Sequence, residues 1–282
     1  MDPALSDPQV RISNYLSFID ALIAQGGVVT DAFEKIRAGW QAANSGPTEQ
    51  DLQARALDAI KTGDPEAVDQ AMTRCAVARL DNSHTRGRIA HAVLPALQAA
   101  YAESAAANYI ALAGMYDKAA AKLAACASTV DITLDAEKIV GLDAKSRTAW
   151  MDAALAAKEL DGRFAALSDA ATLAGIPVSA DRGSRIALAC DPGTAHRRRV
   201  FEAWESKGRC GRWAGLLALG VTLRAATLEG FTPYADPAPI TIRQVPVAMG
   251  AGVHGTRQVP VDPEDAAYTE RTRAAATTAA TK

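Results

Sequence analysis

Gly250, Gly252 and Gly255 in the run GAGVHG stand at the G-x-G-x-x-G spacing that lets a backbone approach a dinucleotide pyrophosphate. Such a loop works only between a strand and a helix, whose free N–H groups and positive dipole end hold the phosphates. Here TRQVPVDPED follows, and Pro260 and Pro263 are expected to forbid a helix there. Only 27 residues remain after Gly255, too few for the rest of a doubly wound sheet. The spacing therefore reads as a flexible glycine turn, and no cofactor is expected.

Other reactive residue types do not converge. The four histidines, His84, His91, His196 and His254, show no metal-ligand spacing, and no metal site is expected. A G-x-S-x-G elbow, a Walker loop and an EF-hand loop are all missing from the sequence. Asp152, Glu159 and Asp161, near Lys158 and Arg163, read as a solvated helix face rather than a general acid and base. An enzyme would need a site built from residues far apart in sequence, so the chain is read as non-catalytic.

The one charge anomaly is 182–212, where eight basic side chains face Asp191, Glu202 and Glu205. Two helical patterns around a glycine turn there suggest a helix-turn-helix. Arg197, Arg198, Arg199, Lys207, Arg209 and Arg212 are its candidate phosphate contacts. Against that stand the second pattern, WAGLLALGVTL, apolar nearly all round and best buried, and a net charge of −2.

The elements that must position these residues are helical. Alanine exceeds a fifth of the chain and aromatics are 5%, a composition that favours helices in close contact. Residues 7–25 form a first helix, and Thr30-Asp31 open a second carrying Phe33, Ile36 and Trp40. Thr48 caps a third with Leu52, Leu57 and Ile60 inward, ending at Gly63. Asp64-Pro65 restart a fourth, with Val68, Met72 and Cys75 as inner stripe. Pro95 predicts a kink or boundary.

Two heptad seams dominate the middle: Ala105, Tyr109, Leu112, Tyr116, Ala119, Leu123, Cys126, and Trp150, Ala153, Ala157, Leu160, Phe164, Leu167, Ala171, Ala174. The linker 127–142 turns the chain, predicting a long antiparallel helical hairpin, with alternating TVDITLD as a short strand at its tip. RIALAC reads as a strand or a buried helical turn, and helices are predicted over 195–207 and 212–229.

The fold class predicted is all-α, a helical bundle with a C-terminal extended or β-hairpin arm. Its segments are 1–80, 81–175, 176–229 and 230–282. The N-terminus shows no signal-peptide pattern, no apolar run spans a membrane, and the four cysteines lie far apart, which together point to a reducing, cytoplasmic setting.

RQVPV occurs twice, at 243–247 and 257–261. Folded back on each other, the copies make a two-stranded ribbon, with Pro246 and Pro260 each removing a ladder donor; the alternative is that both copies stay extended and dock into equivalent grooves. A lone hairpin is marginal in water and must lie on its own body or a neighbour. The sequence thus points to a structural or assembly subunit, a homo-oligomer or part of a larger particle such as a viral particle or protein shell. Val245, Val247, Val259 and Val261 are its candidate partner-binding residues. Nucleic-acid binding through 182–212 and an enzyme without a recognisable motif are the alternatives.

Overall fold

The computed structural model describes residues 7–44, 49–79, 83–176, 178, 181–248 and 254–280. Thr48, the glycine loop 249–253, and the side chains of Cys75, His84, Val247 and His254 lie outside what it describes. The chain is predominantly helical and forms two compact units, Met1–Asn108 and Tyr109–Lys282. Among the described residues no helix is long and apolar enough to cross a membrane.

The first unit holds α1 (Pro8–Ala24), α2 (Asp31–Asn44), α3 (Glu49–Thr62), α4 (Pro65–Arg79) and the start of α5 (Ser83–Thr129). Asp7 caps α1 by accepting from Gln9 N at 2.8 Å, and Ile12, Ile19 and Leu22 bury one stripe. Asn108 then fixes the following loop. Its buried side chain accepts from Val28 N at 2.8 Å and donates to Val28 O at 2.7 Å, imitating a strand partner at the edge of the core. Thr30 caps α2 and donates to Ala100 O, while Phe33 meets Tyr101 edge-on at 6.3 Å. Leu57, Ile60 and Met72, expected inward, are exposed instead. Leu52 and Ala56 fill the buried stripe of α3, because alanine lets the helices approach and leaves the larger side chains at the margin.

Helix α5 runs unbroken through Pro95. One N–H is lost there, but Leu94 and Leu97 are buried on either side and hold both halves in register. The division between the units falls inside this helix, not in a loop, so no turn residue marks it.

In the second unit, α5 from Tyr109 onward packs against α7 (Ala144–Leu173). Lys122 pairs with Glu159 at 3.1 Å and Tyr116 meets Phe164 at 6.3 Å, so one index rises as the other falls: the hairpin is antiparallel. Every predicted seam position from Tyr109 to Leu123 and from Ala153 to Ala171 is buried. The tip is not a strand. Asp131 accepts from Thr133 N at 2.9 Å, an Asx-turn that bends TVDITLD into α6 (Ala136–Ile139), and Trp150 Nε1 clamps it by donating to Leu134 O. Asp143 caps α7 through Ser146 N, and Gly175 in the left-handed region ends it.

RIALAC resolves as helix α8 (Arg182–Ala189) running into β1 (Cys190–Asp191), which pairs antiparallel with β2 (Thr222–Leu223). Helices α9 (Arg197–Trp204) and α10 (Gly211–Ala218) are shorter than the predicted 195–207 and 212–229. Gly220, at φ 73°, turns the chain after α10, and Val221 N bonds back to Leu216 O. The residues beyond it are then free to pair as β2. Trp213, Trp204, Phe164 and Tyr116 form an edge-to-face cluster with centroids 5.6–6.3 Å apart. Trp213 Nε1 donates to Asp161 Oδ1 at 2.9 Å.

The C-terminal arm is an antiparallel ribbon, β3 (Thr241–Ala248) with β4 (His254–Val261), followed by α11 (Pro263–Ala280). Pro263 does not prevent that helix: it occupies the first helical position, where no N–H is needed.

Candidate partner-binding ribbon and its anchor

The two RQVPV copies do fold back on each other. Arg243 pairs with Val259, Gln244 with Gln258 and Val245 with Arg257, so RQV lies antiparallel to RQV about a Gln–Gln centre. Cross-strand partners share a face and successive pairs alternate faces. One face therefore carries Arg243, Val245, Arg257, Val259 and Val261; the other carries Ile242, Gln244, Gln258 and Pro260. Of the predicted partner-binding valines, Val245 and Val261 are 38% and 39% exposed and Val259 is half-buried. Val247 pairs with Gly255 through its backbone. The most exposed apolar side chain of the ribbon is Ile242, at 68%, which the repeat did not single out because it lies outside RQVPV. Among the described residues β3 and β4 have no third strand beside them.

At its base the ribbon is tied to its own unit by ionic contacts. Arg198 on α9 forks onto Asp262, Nε to Oδ2 at 2.5 Å and Nη2 to Oδ1 at 3.0 Å, and also donates to Ala238 O. This pairing holds the Asp262 carboxyl below the usual range. Glu264, only 3% exposed, accepts from Ala238 N at 3.1 Å through Oε1. Arg197 lies 3.7 Å from Oε1 and Arg271 3.9 Å from Oε2, which has no hydrogen-bond partner among the described residues. His196 caps α9 by accepting from Arg199 N at Nδ1, which assigns the proton to Nε2; that nitrogen donates to Asp265 Oδ1 at 3.0 Å. The effect is a latch joining α9, the extended segment 234–238 and the first turn of α11.

His196, Asp262 and Asp265 each present a ligand atom within 4.8 Å of the others, the one such grouping among the described residues. Those atoms already serve the latch. A divalent cation would have to displace both the Nε2 proton and the Arg198 fork.

The basic segment is largely consumed by its own unit. Arg197 and Arg198 hold the latch. Arg209 stacks on Trp150 at 3.2 Å from the ring centroid and donates to the carbonyls of Trp150 and Met151. Arg212 stacks on Trp204 at 4.7 Å and reaches Asp161 at 4.0 Å. Arg182 pairs with Glu205, and Arg185 lies over Phe164. Arg199 and Lys207 remain exposed. Guanidiniums here act as flat packing units against a tryptophan-rich core.

A cavity of about 490 Å³ opens beside β1 and the segment 224–235. Its one carboxylate, Asp191, pairs with Arg224 at 2.7 Å. Burial pushes its Cys190 thiol up to about 12, and the thiol donates to Ile186 O.

No family model, curated protein or solved structure matches the chain.

Proposed function

We propose that this protein is a non-catalytic structural or assembly subunit that self-associates or joins a larger particle, such as a viral particle or protein shell. The C-terminal ribbon is its coupling element, and a cytoplasmic site of assembly accords with the free cysteines Cys126, Cys190 and Cys210. One observation carries the reading. The ribbon is a two-stranded sheet with exposed Ile242, Val245 and Val261, and its base is locked by the Arg198–Asp262 fork and buried Glu264. A lone hairpin of that kind is marginal in water, and both of its faces leave apolar side chains exposed, Ile242 on one and Val245 and Val261 on the other. The latch fixes where the ribbon leaves the body, which lowers the entropy lost when it docks.

The test is to replace 241–261 with a short Gly-Ser linker, leaving Glu264 and α11 in place, and to measure mass by light scattering. The parent chain assembles and the excised chain does not; equal masses for the two would defeat the proposal.

Binding of nucleic acid through 182–212 is the weaker reading, because Arg197, Arg198, Arg209 and Arg212 already have partners within their own unit.

A further inference from the structure

We infer that the ribbon docks through its valine–arginine face, not its edges, onto the α3–α4 hairpin of a second copy of this chain. The inference rests on the reading of the ribbon as the assembly element and adds the face, the partner and the receiving surface.

The prolines weaken the edges. In an antiparallel ladder alternate pairs exchange both hydrogen bonds, and the pairs between them point their N–H and C=O groups outward. Pro260 pairs with Ile242 and Pro246 with Thr256, two positions of the same parity. A ladder bonded on the other parity, through Thr241–Val261, Arg243–Val259 and Val245–Arg257, loses no donor. Each outer edge then carries one proline with no N–H to offer, the device that blocks strand addition. One missing N–H in each short edge disfavours strand addition and favours recognition through the faces.

The faces differ in charge. Residues 241–261 contain Arg243 and Arg257 and no Asp or Glu, and both arginines fall on the valine face. Two such faces packed together would bring four guanidiniums into one contact, so ribbon does not pair with ribbon by this face. The complementary surface is acidic and apolar, and the chain has one. Residues 1–108 hold thirteen carboxylates against nine basic side chains, whereas 109–282 hold nineteen against twenty-one. Within the first unit, the α3–α4 hairpin, 49–79, carries Glu49, Asp51, Asp58, Asp64, Glu66 and Asp69 against Arg55, Lys61, Arg74 and Arg79, a net −2. The same hairpin leaves Leu57, Ile60 and Met72 more than half exposed. Valines meet these three side chains, and Arg243 and Arg257 meet Glu66 and Asp69 in the N-terminal half of α4, away from Arg74 and Arg79. The contact joins two different surfaces, so it repeats from copy to copy into a closed ring or an open filament. Opposite charges steer the encounter and make it salt-sensitive.

The experiment uses the full chain, nuclease-treated, with mass measured over a concentration series and folding checked by circular dichroism. Three charge variants are compared: Arg243→Glu with Arg257→Glu on the docking face, Glu66→Arg with Asp69→Arg on α4, and Gln244→Glu with Gln258→Glu on the opposite face. The first two each weaken self-association by about tenfold or more, and mixing them restores it. The third leaves it unchanged. The inference is overturned if the first two assemble like the parent, if their mixture stays apart, or if the parent is a monomer throughout. It is also overturned if Arg243→Glu with Arg257→Glu abolishes binding to a generic duplex while mass is unchanged. Loss of assembly on excising 241–261 without any effect of charge reversal sinks only the docking face; no loss on excision sinks the assembly reading itself.

Discussion

Replacing Glu264 with alanine isolates the latch. The substitution strips Ala238 N–H of its acceptor at 3.1 Å, and an orphaned buried donor costs about 1–3 kcal/mol. Arg197 and Arg271 lose a counter-charge at 3.7 and 3.9 Å. Both guanidiniums are about a third exposed and keep carbonyl contacts to Asp236 and Ala195, so each loss is discounted to about 0.5 kcal/mol. Relief of the unpartnered Oε2 works the other way, by about 1 kcal/mol. The net is a weakening of about 2 kcal/mol, and since about 1.4 kcal/mol is tenfold, the latch opens about 30-fold more often. Amide hydrogen exchange followed by mass spectrometry reads this directly. Peptides covering 234–240 and 262–268 should exchange about 30-fold faster, while α7 peptides keep the parent rate. Glu264→Gln keeps an oxygen for Ala238 and should fall between the two. Unchanged exchange at Ala238 in the alanine variant, or equal acceleration in α7, would refute the account of the arm as a locally latched element.

Three further outcomes are expected. Asn108→Ala leaves the part-buried N–H and C=O of Val28 without their side-chain partner and should destabilise the first unit by roughly 1–2 kcal/mol, read from the fluorescence of Trp40, the sole tryptophan of 1–108, in a urea series. Cys190, pushed up to about 12 by burial, should resist a thiol reagent at pH 8 in the native chain and react on unfolding; prompt native labelling would contradict its placement. Burial raises Tyr109 and Tyr15 to about 12 from 10.0. Because the folded value lies above the unfolded one, their contribution is complete below pH 10 and is lost as pH rises from about 10 towards 12. Alkaline titration at 295 nm should show their late ionisation, coincident with unfolding.

Much of the architecture is legible in the sequence because it depends on spacing alone. The seam of α7 repeats every three and four residues, and a helix with that period has only one face to bury; Ala153, Leu160 and Leu167 are all fully covered. Ribbon formation follows from the doubled RQVPV, since two β-prone copies joined by glycines can pair with each other. Other readings failed where a local signal had two physical outcomes. Pro95 marks a break, yet burial of Leu94 and Leu97 outweighs one lost hydrogen bond. TVDITLD alternates like a strand, yet the Asp131 side chain captures Thr133 N first. Leu57, Ile60 and Met72 have helical spacing, but alanines took the inner positions and left them outside.

The candidate site was half visible. The valines of the ribbon stand out in the repeat, but its anchor does not: Arg198 and Asp262 are 64 residues apart, and Glu264 meets Ala238 across 26. The same distances decide the basic segment, whose arginines look available in the sequence and are spent on tryptophan rings and carboxylates in the fold. Sequence by itself determined the predominantly helical class, the buried faces of the long helical hairpin and that the arm is extended and β-prone, because those follow from interactions within a few residues or from a repeated pattern. Only the tertiary structure decided which charges are free and which are paired, because charge pairing depends on separation in space, and separation along the chain does not report it.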